Sequence, residues 1–223
     1  MPRNITMKKQ HAFALSALAA LLVAGCASGP STADLDKMAA DVVKASFRDQ
    51  GIVKVSVLTP EDINEACTAA DVAGKPIDPD LAAKLQDAQL KTIQWPADGK
   101  YLGDWKAGEK LAQSGRGLTW TDAADTPNGG NCYNCHQMDP KEISFGTIGP
   151  TLTGYGHTRG VIADPSSPAS KAIIEYTWGK IWNAKAYNAC SVMPRAVHKG
   201  IITEAQAKDL MALLLDPKSP VNN

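Results

Sequence analysis

The sequence predicts a mainly α chain in three stretches: an export leader, a helical N-terminal extension and a C-terminal helical domain around one cysteine motif. Three observations predict it. Several segments place apolar residues at helical spacing behind recognisable caps, whereas only Val53, Val55 and Val57 alternate as a short strand would. The five cysteines fall into a leader position (Cys26), one C-x-x-C pair (Cys132 and Cys135) and two isolated sites (Cys67 and Cys190). Turn-rich "WPADGK" at 95 to 100 separates a plain first half from a motif-bearing second half.

Taken in order, Arg3, Lys8 and Lys9 precede an apolar run from Ala12 to Ala24 that closes on "LLVAGCASG". Charge, apolar run and small residues in that order describe a secretory leader over residues 1–25. The run is shorter than the ~20 apolar residues a spanning helix needs. Val23-Ala24-Gly25-Cys26 has the form of a lipobox, so Cys26 is expected to carry lipid and to tie the chain to a membrane surface, with cleavage a residue or two later as the alternative. The compartment is then periplasmic, with membrane contact only through that lipid. Loss of residues 1–25 takes away three of the 23 basic residues and none of the 23 acidic ones, a net charge of minus 3. That balance carries no electrostatic footprint for nucleic acid. In an oxidising compartment Cys67 and Cys190 are expected to pair as a disulfide, two buried thiols being the alternative.

The extension, residues 26–100, reads as short helices. Asp34 is expected to cap a helix carrying Leu35, Met38, Val42 and Val43, which makes Met38 a core residue. Thr59-Pro60 and Asp78-Pro79 each read as an N-cap followed by proline in the first turn, opening helices that carry Cys67 and then Leu81 and Leu85. In residues 101–223 a helix is expected from Asp104 to Gln113, stopped by Ser114-Gly115, with Gly108 offering a close approach to another helix. Thr203 and Gln206 form a capping box for a last helix that runs to Leu215 before Pro217. Trp178 and Trp182 share one helix face, as core or as the lining of a crevice.

"NCYNCHQMDP", residues 131–140, carries the chemistry. A structural zinc would need two further ligands near Cys132 and Cys135, and no second C-x-x-C or H-x-x-x-H supplies them. A thioredoxin-like redox pair would need a preceding strand, which "TPNGGN" does not offer. One covalently bound haem c needs nothing more locally: the two thiols add to the two vinyl groups and His136 follows as proximal iron ligand. A carbonyl of Gly149 or Pro150 in "GTIGPTLTGYG" is expected to accept from His136 Nδ1, an ordinary turn being the alternative. For the sixth position Met193, in the proline-restrained loop "NACSVMPRA", stands ahead of His198 and His157, while Met211 lies in an apolar helix. A His and Met pair closes the iron to substrate and points to outer-sphere electron transfer.

Helix, C-x-x-C-H, G-P-x-L loop, methionine loop and C-terminal helix, in that order, resemble the class I cytochrome c proteins over residues 101–223. Four longer stretches, "YLGDWKAGEKLAQSGRGLTWTD", "NGGNCYNCHQMDPKEISFGTIGPTL", "EYTWGKIWNAKAYNACSVMPR" and "ALLLDPKSPVN", resemble the SoxX family, monohaem cytochrome c subunits of thiosulfate-oxidising SoxAX complexes. The resemblance implies haem on Cys132 and Cys135 with His136 and Met193 as axial ligands. It also implies a SoxA-like haem partner forming with this chain an L-cysteine S-thiosulfotransferase, a thiosulfate-carrier protein as its substrate, and a soluble cytochrome c as electron acceptor. No catalytic residue is expected in this chain. Ala196-Val197 departs from the family pattern, where an aromatic residue and glycine are expected after the methionine loop.

Overall fold

The computed structural model describes residues 29–160 and 167–223; the leader and Cys26 lie outside the described residues. The chain is mainly α, and among the described residues the only β feature is an isolated bridge between Gln50 and Val53. Two compact units divide it, residues 1–48 and residues 49–223.

The first unit contributes one described helix, α1 (Thr32–Ser46). Its cap is Ser31, not Asp34: the Ser31 hydroxyl accepts from the Asp34 amide, and Asp34 answers by accepting from the Ser31 amide, a reciprocal capping box. Met38 is 58% exposed, so the expectation of a core methionine fails.

In the second unit, Val53, Val55 and Val57 form no strand. With Asp49 accepting from the Val55 amide and no partner edge to pair with, residues Val55–Leu58 close as a 3₁₀ turn. Helix α2 (Asp62–Val72) starts after Glu61, later than Thr59-Pro60 suggests, and Glu61 leaves the helix amides uncapped because its carboxylate is held elsewhere. Helix α3 (Pro79–Leu90) begins as expected, with Asp78 accepting from the Leu81 amide and proline in the first turn. Helix α4 (Trp105–Gln113) is capped by Asp104, and a short α5 (Tyr155–Thr158) follows the motif-bearing loops. Helices α6 (Pro168–Trp182) and α7 (Glu204–Leu215) complete the unit, α7 behind the Thr203/Gln206 capping box.

The core sits where α4, α6 and α7 meet, around Trp178, Met211, Leu213 and Leu215. Helix α4 lies directly on α7. A Cβ at Gly108 would overlap the backbone carbonyl of Asp209 and press on Leu213, so only glycine permits this approach. The start of α4 is tied to the same place, with the Gly103 amide donating to the Lys208 carbonyl and the Asp104 amide to Asp209 Oδ1, each at 2.8 Å. Trp178 is fully buried and donates from Nε1 to the Gln94 carbonyl (2.8 Å), and Trp182 Nε1 donates to the Thr92 carbonyl (3.0 Å). Both indoles are core residues that bind residues 92–94 to α6, so this stretch of the extension belongs to the same body as the cysteine motif.

The last residues lock the far side. Asn222 donates to the carbonyls of Leu214 and Asp216, two groups the end of α7 leaves open, and its side-chain oxygen accepts from the Gly156 amide at 2.9 Å. The Gly154 amide donates to the Val221 carbonyl. The tail thereby holds the loop that passes His136.

Candidate functional site

The Cys132-to-His136 segment is a tight turn. Asn131 takes a left-handed conformation (φ 51°), Cys132–Asn134 form one 3₁₀ turn, and the amides of Cys135 and His136 both donate to the Cys132 carbonyl. Cys132, Cys135 and His136 thus stand on one short turn. Cys132 and Cys135 are the free cysteines among the described residues, and burial pushes the Cys132 thiol up to about 12, so it is held as the neutral thiol.

His136 is oriented by the loop at 146–152. Its Nδ1 donates to the Pro150 carbonyl at 2.7 Å, which leaves Nε2 as the ring's unprotonated nitrogen. Two backbone bonds hold that loop in register with the motif: the Gly149 amide donates to the Cys135 carbonyl (2.8 Å) and the Leu152 amide to the Gln137 carbonyl (2.7 Å). A Cβ at Gly149 would overlap the imidazole, so glycine lets the backbone lie against the ring. Tyr133, between the cysteines, is buried. Its hydroxyl donates to Glu109 of α4 at 2.9 Å and accepts from the Asp139 amide at 3.1 Å, fastening the motif to α4. Desolvation raises the Glu109 carboxyl above its ordinary range.

Met193 lies half-buried in the loop after α6, its amide donating to Ser191 Oγ. Cys190, three residues before it, is bonded to Cys67 of α2, with Cα atoms 5.5 Å apart. Arg195, two residues after it, is 8% exposed and makes a bidentate pair with Glu61, both contacts 2.9 Å. Lys199 completes the ion cluster on Glu61, whose carboxyl the two cations hold at about 2. Arg195 also donates to Gln89 of α3 (3.1 Å), and the buried Asn183 donates to Gln89 and to Thr92 Oγ1, each at 2.9 Å. An open cleft of about 560 Å³ beside the disulfide is lined by Asn64, Thr68, Lys185, Ser191, Met193 and Lys199, among others.

The rival sixth-position residues differ. His157 Nε2 donates to the Asn222 carbonyl at 2.9 Å and so is committed to the fold. His198 is half-buried; burial and the nearby Arg195 and Lys199 charges lower its tendency to protonate. Met211 is fully buried in α7. Glu61, Gln89, Asn183, Arg195 and Asn222 escaped the sequence reading, since their partners stand 65 to 134 positions away. The buried arginine directly after Met193-Pro194 is the one local signal that could have pointed to them.

Among the described residues no three His, Cys, Asp or Glu side chains gather as a group that could hold a metal ion. Among the described residues no helix is long and apolar enough to cross a membrane. No family model matches the chain. A protein of Aquifex aeolicus (strain VF5) described as an uncharacterized lipoprotein is 31% identical over 220 residues, which covers 97% of this chain and the whole of that protein. The chain belongs to the same family as this Aquifex lipoprotein.

Proposed function

We propose that this chain is a class I cytochrome c-like electron-transfer protein that carries one covalently bound haem c and serves a SoxAX-type thiosulfate-oxidising complex. The observation that carries the reading is the His136 ring, held by the Pro150 carbonyl, backed by Gly149 and set directly after two unpaired thiols on one turn. These residues fit the group. Cys132 and Cys135 would hold it by thioether bonds, His136 and Met193 would bind its iron, and the glycine at 149 leaves the imidazole its room beside the loop. Ile148 and Val192, next to Gly149 and Met193, are 74% and 83% exposed, apolar surface of the kind a porphyrin edge covers.

Bound haem would supply one-electron chemistry at its iron. The chain's residues determine how that chemistry is used. Pro150 fixes the His136 tautomer and raises the basicity of the ring. Met193 would offer a thioether to the iron, a ligand that favours a high reduction potential and would leave no place there for water or sulfur anions. The chain would therefore not bind thiosulfate. A SoxA-like haem subunit would host the oxidative joining of thiosulfate to a cysteine of a carrier protein, which releases two electrons. This chain would take them singly and pass them to a soluble cytochrome c. The lipoprotein relative and the lipobox together support anchoring through Cys26, with the folded chain on the periplasmic side.

A second reading, a stand-alone lipid-tethered electron carrier, gains from one observation: residues 61–94 are engaged with their own domain through Cys67, Glu61, Gln89 and the two indoles. The extension then needs no partner to explain it. Gentle affinity purification from thiosulfate-grown native cells separates the two. Co-elution of a second haem protein in fixed ratio supports the subunit, and a haem-bearing chain eluting alone supports the carrier. A chain that stays colourless and unstained for haem on a denaturing gel overturns both.

A further inference from the structure

We propose that residues 61–89 act as a two-point clamp on the methionine loop, and that Glu61, Arg195 and the Cys67–Cys190 disulfide are positioning residues for Met193. The inference rests on the reading of Met193 as axial ligand. Both flanks of Met193 are held from the same side of the molecule. Upstream, Cys190 is bonded to α2. Downstream, Arg195 is buried with its planar fork on Glu61, and one guanidinium nitrogen also reaches Gln89 of α3. Lys199 adds a second cation to Glu61, and Lys185 Nζ donates to the Ala189 carbonyl just before the disulfide. A thioether is a neutral, weak ligand, so its occupancy depends on how rarely the loop swings away. Two anchors placed three residues before and two after it leave the ligand little freedom.

The cost of losing an anchor differs between the two. The disulfide links positions 123 apart and constrains the loop whatever the solvent does. The Arg195 pair acts in the folded state: without the carboxylate the buried guanidinium keeps only neutral acceptors such as Gln89, which favours loop conformers that hydrate it. Each anchor therefore biases the same two-state element, loop on or loop off.

The test uses the purified haem-loaded full chain as wild type, Met193→Ala, Glu61→Gln and the double variant Cys67→Ser/Cys190→Ser. The readouts are the near-infrared methionine-to-iron band of the oxidised protein, carbon monoxide association with the reduced protein, and far-ultraviolet circular dichroism. The expectation is unchanged helix content, a weakened band and an association rate raised about 10-fold in each clamp variant, the factor that about 1.4 kcal/mol of loop bias represents. Should a variant fail to fold, reduction of the disulfide by a phosphine in folded wild-type protein, followed by alkylation, tests the same anchor. A purely structural role would lower the unfolding midpoint yet leave the band and the association rate at wild-type values, and that result overturns the clamp. A wild-type protein without the band, or a band that survives Met193→Ala, overturns the ligation reading itself.

Discussion

Glu61 shows how far a single side chain reaches in this molecule. Its carboxyl is held at about 2 by the Arg195 guanidinium first and the Lys199 ammonium second. A carboxyl lowered on folding stabilises the fold above its ordinary value near 4.5, and that contribution is lost as pH falls from there through about 2. Denaturant midpoints of wild type and Glu61→Gln are therefore expected to differ at neutral pH and to converge as the pH is lowered through that window. A difference that stays constant down to pH 2 would mean that the pair adds nothing. At Gly149 the argument is steric. Alanine there would push the His136 ring off the Pro150 carbonyl and the ring would lose basicity; if the chain carries the proposed haem, its potential is expected to rise in a redox titration. The carbonyl was legible in the sequence as "GTIGPTL", with Gly149 or Pro150 as its source; Glu61 was not, because nothing local marks a carboxylate whose partner stands 134 residues away.

Among the elements, helices with local stop and start signals matched their expected positions best. Asp78-Pro79, Asp104 and the Thr203/Gln206 box each satisfy amides within three residues, so short-range sequence suffices to find them. Thr59-Pro60 misled for the converse reason: the helix start depends on where Glu61 is drawn by distant cations. The valine alternation at 53–57 misled because a strand needs a partner edge, and Asp49 offered the backbone a closer acceptor. The α4/α7 crossing gives a sharp prediction. Gly108→Ala is expected to destabilise the unit by about 1–3 kcal/mol, since a methyl at that point meets backbone that cannot move without separating the helices. Urea unfolding of the purified chain measures it, and a loss below a few tenths would show that the helices slide apart freely.

At the scale of the whole molecule, two kinds of tether have different consequences. Cys26 lies beyond the described residues, and its lipid would set where the protein resides without altering the fold. On the proposed reading, Cys26→Ser moves the chain from the membrane fraction to the soluble fraction and leaves the proposed haem in place, read by fractionation and haem staining. Retention on the membrane would instead point to a protein partner or an uncleaved leader. The Cys67–Cys190 bond acts inside the folded unit. It joins the part of the chain before the C-x-x-C-H motif to the part after it, so residues 49–100 and the methionine loop fold as one body. That continuity explains why a segment without chemistry of its own carries so many of the contacts around Met193.

Cap signals and cysteine arithmetic were enough to name the mainly helical class and the pairing of Cys67 with Cys190, and the compartment and the haem reading rest on the leader and the C-x-x-C-H spacing alone. All of these depend on order along the chain, on covalent chemistry or on bonds spanning a few residues. Tertiary structure alone decided that Trp178 and Trp182 serve the core, that His157 is spent on Asn222, and that the methionine loop is bracketed by Cys67 and Glu61. Those outcomes follow from which surfaces meet when residues 61–94 close on α6 and the loop after it and the last residues close on α5, and partners separated by 65 to 134 positions become neighbours only after the core has closed.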